Sequence, residues 1–372
     1  MSAVDSRSLA MIARLARWLG PWAPEDRMPA ASRTTVRVPP CREGDRELDA
    51  WVLRPERRAA VGSLLVVPGL HYAGPADPRL ERFLRVLANA GVLVLSPFLP
   101  DFAELRVGKG LVRDTERALE ALIALPDRPP GRPGMFSISF GSYPALSVAA
   151  SERWAGSISG LVVFGGYADF TETLRFALSG EQGRPHDPLN RPVVFMNLID
   201  HLDDVPAGVA LVMEAWFEYV RATWGKPEMK EHARWTAVAR AIGERLSPEE
   251  RSFFFMGCGV EPGGVARCEA ALARAAGAFD WLDPRGSLSG IRCPVYLVHG
   301  RDDDVIPHTQ AERLLAALPE HVRARALLTG MYAHTGTTGL RELASRGSVL
   351  AAELGAMLGI LRAIVAVATD AR

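Results

Sequence analysis

A serine set among small residues stands where a short apolar run gives way to a helical pattern, in Ser137-Ile138-Ser139-Phe140-Gly141. A reactive serine on a tight strand-to-helix turn needs small residues two positions before and two positions after it, so that the turn can close. Ser139 is therefore the candidate nucleophile for attack on a carbonyl carbon, although Ser137 stands where this pattern usually has glycine. The alternative is a serine-rich turn that only caps the helix beginning near Ser142.

A second segment, Val66-Val67-Pro68-Gly69-Leu70-His71, ends an earlier apolar run. Acyl transfer builds negative charge on the carbonyl oxygen, and one backbone N–H aimed at that oxygen contributes about 3 to 4 kcal/mol. We predict an oxyanion hole made by the Leu70 N–H, at the Gly69 turn, and the Phe140 N–H, at a helix N-terminus. His71 is a candidate substrate-binding residue at the mouth of the pocket, and a surface turn histidine is an equally good interpretation.

Three consecutive carboxylates, Asp302, Asp303 and Asp304, follow the apolar run 294–298 and the pair His299-Gly300. A strand that ends in His-Gly, has an acid three residues later and continues into Val-Ile-Pro resembles the acid-bearing loop of the α/β-hydrolase family. The resemblance implies that Asp303 is the acid that orients a catalytic histidine. Without the flanking motif the three carboxylates are indistinguishable, and a solvated turn before a helix is the alternative interpretation.

The segment Tyr332-Ala333-His334-Thr335-Gly336 supplies the one histidine after the last apolar run, 323–328. In a catalytic triad the histidine takes the serine proton, and the acid fixes its tautomer and stabilises the imidazolium. The chain order Ser139, Asp303, His334 is the order of the α/β-hydrolase triad. His334 is therefore the predicted general base, whereas His299 is interpreted as a packing or capping residue.

The elements that must position these residues are strands and helices that alternate along the chain. Runs at 34–38 and 48–53 predict a leading antiparallel pair, and runs at 63–67, 92–96, 134–138 and 157–164 predict parallel strands buried on both faces. Helical patterns at 78–90, 111–125 and 142–150 separate them, which favours right-handed crossovers. Strands return at 294–298 and 323–328. The predicted fold is α/β: a mostly parallel α/β-hydrolase sheet flanked by helices, with a helical cap inserted.

The domain boundaries follow from where the alternation stops. We predict an N-terminal helical extension at 1–30, the first part of the α/β-hydrolase core at 31–167, a helical cap at 168–285 and the second part of the core at 286–372. Within the cap the run 193–197 is a weak strand candidate. The family resemblance covers about 60–165 and 285–340, so it carries no information on the substrate that the cap would select.

Composition excludes several classes of protein. Lys plus Arg and Asp plus Glu both number 43, and the pI is near 7.1, so a nucleic acid partner has little electrostatic support. The four cysteines have no metal-site spacing and favour reduced thiols in a cytoplasmic setting, with a Cys258–Cys268 disulfide as the alternative. No metal and no organic cofactor is expected, and the family resemblance implies the same. The oligomeric state is left open.

Both ends of the chain are apolar. In 9–19 the residues Leu9, Ile12, Leu15 and Leu19 share one helix face, which predicts a helix docked on the core, with peripheral membrane contact as the alternative. The stretch 349–368 contains Glu353 and Arg362, and each charge near a bilayer centre costs about 2.5 to 3.5 kcal/mol. No transmembrane span is predicted.

Taken together, the motifs predict a serine hydrolase that cleaves a carboxylic ester or related acyl bond of a small, partly apolar molecule through an acyl-serine intermediate. A peptidase, amidase, thioesterase or carbon–carbon bond hydrolase could use the same residues, and the HGxxD loop also resembles that of prolyl-oligopeptidase-type peptidases. A non-catalytic binding protein that kept the fold is the rival from another class.

Overall fold

The short apolar runs form one eight-stranded sheet in the computed structural model, which describes residues 6–24, 26–180, 184, 186–331 and 349–371. The strands are β1 (Ser32–Val38), β2 (Leu48–Arg54), β3 (Gly62–Val67), β4 (Val92–Pro97), β5 (Gly134–Ile138), β6 (Leu161–Phe164), β7 (Val295–Gly300) and β8 (Ala324–Thr329). Their order is β1-β2-β4-β3-β5-β6-β7-β8. The first two strands pair antiparallel, β2 pairs antiparallel with β4, and every other pairing is parallel.

Thirteen α-helices lie in the described part of the chain. They are α1 (Ser6–Leu19), α2 (Pro78–Ala90), α3 (Pro100–Ala103), α4 (Leu111–Ala124), α5 (Ser142–Ala150), α6 (Phe170–Ser179), α7 (Arg191–Leu198), α8 (Val209–Thr223), α9 (Trp235–Gly243), α10 (Pro248–Cys258), α11 (Gly264–Arg274), α12 (Thr309–Ala317) and α13 (Val349–Thr369). The predicted α/β fold with a mostly parallel sheet is confirmed, and the predicted helices 78–90 and 142–150 are found with the same bounds.

The central strands are buried on both faces, as their unbroken apolar sequences require. Every residue of β3 and β4 is buried, and helices α2, α4 and α13 pack against the sheet. Asp77 begins α2 by accepting hydrogen bonds from the Arg79 and Leu80 N–H groups, and Gly91 ends it in the left-handed conformation. These are the residue types that such helix ends favour.

The two terminal helices complete one side of this core. Met11, Ile12 and Leu15 of α1 are buried, and α1 packs against α2 and α13, whereas Leu9 is 54% exposed. Helix α13 packs against β3, β5, β6 and β8. Its residues Leu350–Thr369 are long and apolar enough, judged by length and composition alone, to cross a membrane. In this structure its apolar face is part of the hydrophobic core.

The chain divides into two compact units. The first contains the sheet and comprises 1–168, 284–303 and 308–372; the second comprises 169–283 and 304–307. Within the second unit, Trp216 of α8 is fully buried against Phe195 and Phe253, and its Nε1–H donates to the Phe254 carbonyl. The weak strand predicted at 193–197 is wrong, because these residues lie in α7.

The four cysteines are free thiols, of which Cys41 is exposed and Cys258, Cys268 and Cys293 are buried. Burial raises the pKa of Cys268 to about 12 and that of Cys293 to about 11, and it also raises the pKa of Cys258. Buried thiols with so little thiolate at neutral pH react slowly.

We therefore expect a disulfide reagent such as DTNB, at pH 8 and without reductant, to modify Cys41 alone in the folded protein. All four thiols should react in denaturant, because unfolding exposes the other three. Absorbance at 412 nm gives both counts directly. A total of two thiols in denaturant would mean that two cysteines are joined in a disulfide.

Candidate active site

Ser139 lies on a strained turn between β5 and α5. Its φ of 52° is in the left-handed region, and its side chain is among the buried polar groups, with 4% of the residue exposed. A residue other than glycine in this region costs about 1 to 3 kcal/mol and persists only where the surrounding structure enforces it. The strain therefore singles out Ser139 among the serines of this segment.

Two glycines allow the turn to close against the end of β3. A Cβ added at Gly141 would overlap the Pro68 carbonyl oxygen, although the backbone of Gly141 has ordinary helical angles. A Cβ added at Gly69 would lie 3.2 Å from the Cβ of Ser139. The requirement for small residues is thus steric, and it brings the Gly69–Leu70 turn next to the candidate nucleophile.

Replacing Gly141 by alanine should destabilise the protein by about 2 to 3 kcal/mol, because the new methyl group overlaps backbone that cannot move aside cheaply. Urea unfolding followed by circular dichroism measures the loss. Gly355→Ala is the matched control: apart from the helix's own nearby backbone, no atom of the described residues lies within 4 Å of a Cβ at that helical position. Alanine there should be neutral or stabilising by up to about 1 kcal/mol. Equal stability of the two variants would contradict this account of the turn.

Ser139 does not act as a helix cap. Helix α5 has Gly141 as its N-cap, without a side-chain capping bond, and the Ser142 hydroxyl accepts from the Tyr167 N–H at 3.4 Å. The capping role, which was the alternative interpretation of this serine, therefore has no support in the geometry.

The two predicted oxyanion donors come from the end of β3 and from the strained turn that bears Ser139, which we call the elbow turn. Leu70 follows Gly69 at the end of β3, and in the part of the chain that the structure describes its N–H donates to no protein acceptor. Phe140 follows Ser139 and is buried, with its ring 5.5 Å from that of Tyr167. Their role as donors stays a prediction, because no substrate or analogue tests it.

His71 is held by its neighbours and is largely buried. Its Nδ1 accepts from the Ala73 N–H at 3.1 Å, and its Nε2 lies 3.3 Å from Oδ2 of Asp77. Burial lowers the pKa of His71 and outweighs the nearby Asp77 carboxylate, so the imidazole is neutral at pH 7. Asp77 is not among the predicted site residues, although its place before Pro78 and Arg79 marks a helix N-cap. Substrate binding by His71 stays a prediction.

The three consecutive carboxylates have different surroundings. Asp302 is exposed and Asp303 is 6% exposed. Oδ2 of Asp303 lies 3.4 Å from Nε2 of the fully buried His299. Asp304 belongs to the second unit, where it accepts from Nζ of Lys230 at 2.7 Å.

The predicted base, His334, lies outside the described residues. The strands that precede the three predicted triad residues are nevertheless in register: Ile138 pairs with Phe164, Phe164 with Val298, and Val298 with Leu327. Adjacent strands lie about 4.8 Å apart, so β5 and β7 are separated by about 10 Å at the edge of the sheet where Ser139 begins its turn. Strand β7 ends at Gly300, three residues before Asp303, and β8 ends at Thr329, both at that same edge.

In the described residues, no group of three or more histidine, cysteine or acidic side chains could hold a metal ion. Trp216 and Tyr219 of α8 are fully buried within the second unit. They serve the packing of that unit.

The strand order, the crossovers and the strained elbow turn define the α/β-hydrolase fold. No protein-family profile and no curated protein sequence matches the chain. Solved structures resemble it at low identity. A hyperthermophilic esterase from Pyrobaculum calidifontis is 15% identical over 97% of this chain and 88% of its own, with a TM-score of 0.48.

Two further solved structures belong to hydrolases. The acylaminoacyl peptidase of Pyrococcus horikoshii is 13% identical over 90% of this chain and 41% of its own length, with a TM-score of 0.46. A 2,6-dihydroxy-pseudo-oxynicotine hydrolase is 15% identical over 92% of this chain and 70% of its own, also at 0.46. The chain thus spans about two fifths of the length of the archaeal peptidase.

Proposed function

We propose that the protein is a serine hydrolase that cleaves a carboxylic ester or related acyl bond of a small molecule. Ser139 is the nucleophile, His334 the general base and Asp303 the acid that orients His334. The N–H groups of Leu70 and Phe140 stabilise the oxyanion, and His71 contacts substrate. The four free thiols support a cytoplasmic location for this enzyme.

The reaction has two halves that balance. His334 accepts the Ser139 hydroxyl proton while the oxygen attacks the acyl carbon, and the carbonyl electrons move onto the oxyanion. Collapse breaks the bond to the leaving group, which takes the proton from His334. Water then attacks the acyl-serine with His334 again as base. The carboxylic acid product is released as Ser139 recovers its proton from His334.

The strained, buried Ser139 is the observation that carries this proposal. Neither a binding surface nor a helix cap needs a serine at a φ of 52°, whereas a nucleophile presented at the end of a strand does. The Gly69–Leu70 turn supports the same chemistry, because a Cβ added at Gly69 would lie 3.2 Å from the Cβ of Ser139, so the Leu70 N–H follows directly on backbone packed against the nucleophile.

A fluorophosphonate probe tests the proposal directly. We expect one adduct per chain, mapped to the peptide that contains Ser139, because the probe reacts with activated serines. A parallel panel of p-nitrophenyl esters, thioesters and aminoacyl anilides then separates an esterase from a thioesterase or peptidase. Absence of any adduct at Ser139 favours the non-catalytic binding protein and would falsify the proposed activity.

A further inference from the structure

A buried carboxylate joins the C-terminal helix to the end of β8. Glu353, in the first turns of α13, is 2% exposed. Its Oε2 accepts from the Thr329 hydroxyl at 2.7 Å and from the Gly330 N–H at 2.8 Å. The Thr329 hydroxyl oxygen in turn accepts from the Met331 N–H at 3.0 Å. One side chain therefore fixes three consecutive residues where the strand ends.

The other oxygen of the same carboxylate faces the end of β7. Oε1 of Glu353 lies 3.5 Å from Nε of Arg301, and the Arg301 N–H donates to the Thr329 carbonyl at 2.8 Å. Arg301 is two residues before Asp303, and Thr329 is five residues before His334. Glu353 thus contacts both segments that lead to the predicted acid and base.

Packing alone does not explain an acid at this position. Its helix is strongly apolar and lies against the sheet, and burial of a carboxylate costs several kcal/mol unless hydrogen bonds and charges compensate. A leucine would fill the space without that cost. Directed hydrogen bonds, in contrast, hold the end of β8 in one position and one orientation relative to α13.

We propose that Glu353 is a positioning residue of the active site, which holds the start of the loop that bears Asp303, through Arg301, against the end of β8, through Thr329 and Gly330. The inference rests on the proposed hydrolase function. Glu353 itself does not contact substrate in this proposal. Small displacements of a catalytic group lower the rate strongly, so loss of this tie lowers turnover more than substrate binding.

A graded series of variants tests the inference, with kcat expressed per Ser139 site titrated by the fluorophosphonate probe. Glu353→Gln keeps an oxygen for Thr329 and Gly330 but loses the attraction to Arg301, and should lower kcat about 5-fold. Glu353→Leu loses every hydrogen bond of this carboxylate and should lower kcat about 50-fold. Thr329→Val loses only the hydroxyl bond, so its kcat should fall about 10-fold, between the other two variants. KM should stay within about 2-fold in all three, because the substrate pocket is unchanged.

Rescue and control variants separate positioning from stability. Thr329→Ser keeps the hydroxyl and should restore kcat to within about 2-fold, and Arg362→Gln, an exposed change on the same helix, should have no effect. A purely structural role would reduce the number of titrated sites and the Tm but leave kcat per site constant, and that result overturns the inference. If Glu353→Leu does not fold, Glu353→Gln and Thr329→Val decide the question.

Failure of this inference is distinct from failure of the proposed function. A wild-type protein that forms no Ser139 adduct refutes the hydrolase itself, and the positioning role with it. A wild-type protein that labels and turns over, alongside Glu353 variants with unchanged kcat per site, refutes the positioning role alone.

Discussion

Ser139→Ala should abolish adduct formation with the fluorophosphonate probe and lower kcat for the best acyl substrate by about 10⁴-fold or more. The loss is large because alanine has no oxygen to form the acyl intermediate, and the remaining donors and pocket can act only on attack by water. Mass spectrometry of the intact protein reports the adduct, and steady-state kinetics with a chromogenic ester report the rate.

Ser137→Ala is the matched control for that experiment. Ser137 lies two residues earlier, is fully buried, and its hydroxyl has no hydrogen-bond partner among the described residues. Its removal should leave both labelling and kcat within about 3-fold of the wild type, since alanine keeps the small size that the turn requires and removes no hydrogen bond seen among the described residues. Persistent turnover in Ser139→Ala, or its loss in Ser137→Ala, contradicts the assignment of the nucleophile.

The sheet was predictable from the sequence because its strands are short and buried on both faces. Runs such as 63–67 and 92–96 are unbroken by charge, and the helices between them carry clear end signals, for example Asp77 before α2 and Gly91 after it. The elbow was predictable for a related reason. The turn needs small residues two positions before and two positions after Ser139, and Ser137 and Gly141 at that fixed spacing are visible in the sequence.

The error at 193–197 has an identifiable cause. A short apolar run with β-branched residues fits a buried strand and a buried helix equally well, so periodicity cannot decide between them. The deciding signal was Pro192, which stands at the start of α7, where proline is favoured in a helix. The strand interpretation gave that proline no role.

Contacts between distant segments were beyond the reach of sequence reasoning. Glu353 looked like a charge that interrupts an apolar helix, and only the fold brings it to Thr329 and Gly330. The pairing of His71 with Asp77 was missed because both residues have local explanations, one as a turn residue and the other as a helix cap. Long-range hydrogen bonds produce no periodic pattern in the sequence.

The three carboxylates after β7 show the same limit at the candidate site itself. Their residue type is identical, and the family resemblance alone selected Asp303. In the structure they differ in physical environment: Asp302 faces solvent, Asp303 is buried beside His299, and Asp304 pairs with Lys230. A buried acid can hold an imidazole in one orientation far better than a solvated acid, because water does not compete for its hydrogen bonds.

Asp303→Asn should therefore lower kcat by about 10³- to 10⁴-fold while leaving KM within a few-fold. The amide preserves the shape of the side chain, but it cannot stabilise an imidazolium, and its NH₂ group can favour the wrong tautomer of His334. Asp302→Asn is the control, and it should keep kcat within about 2-fold because that side chain is exposed. Stopped-flow acylation with a chromogenic ester separates the chemical step from product release in both variants. If Asp302→Asn were the damaging change and Asp303→Asn were not, the acid would have to be reassigned and the orientation of the triad reconsidered.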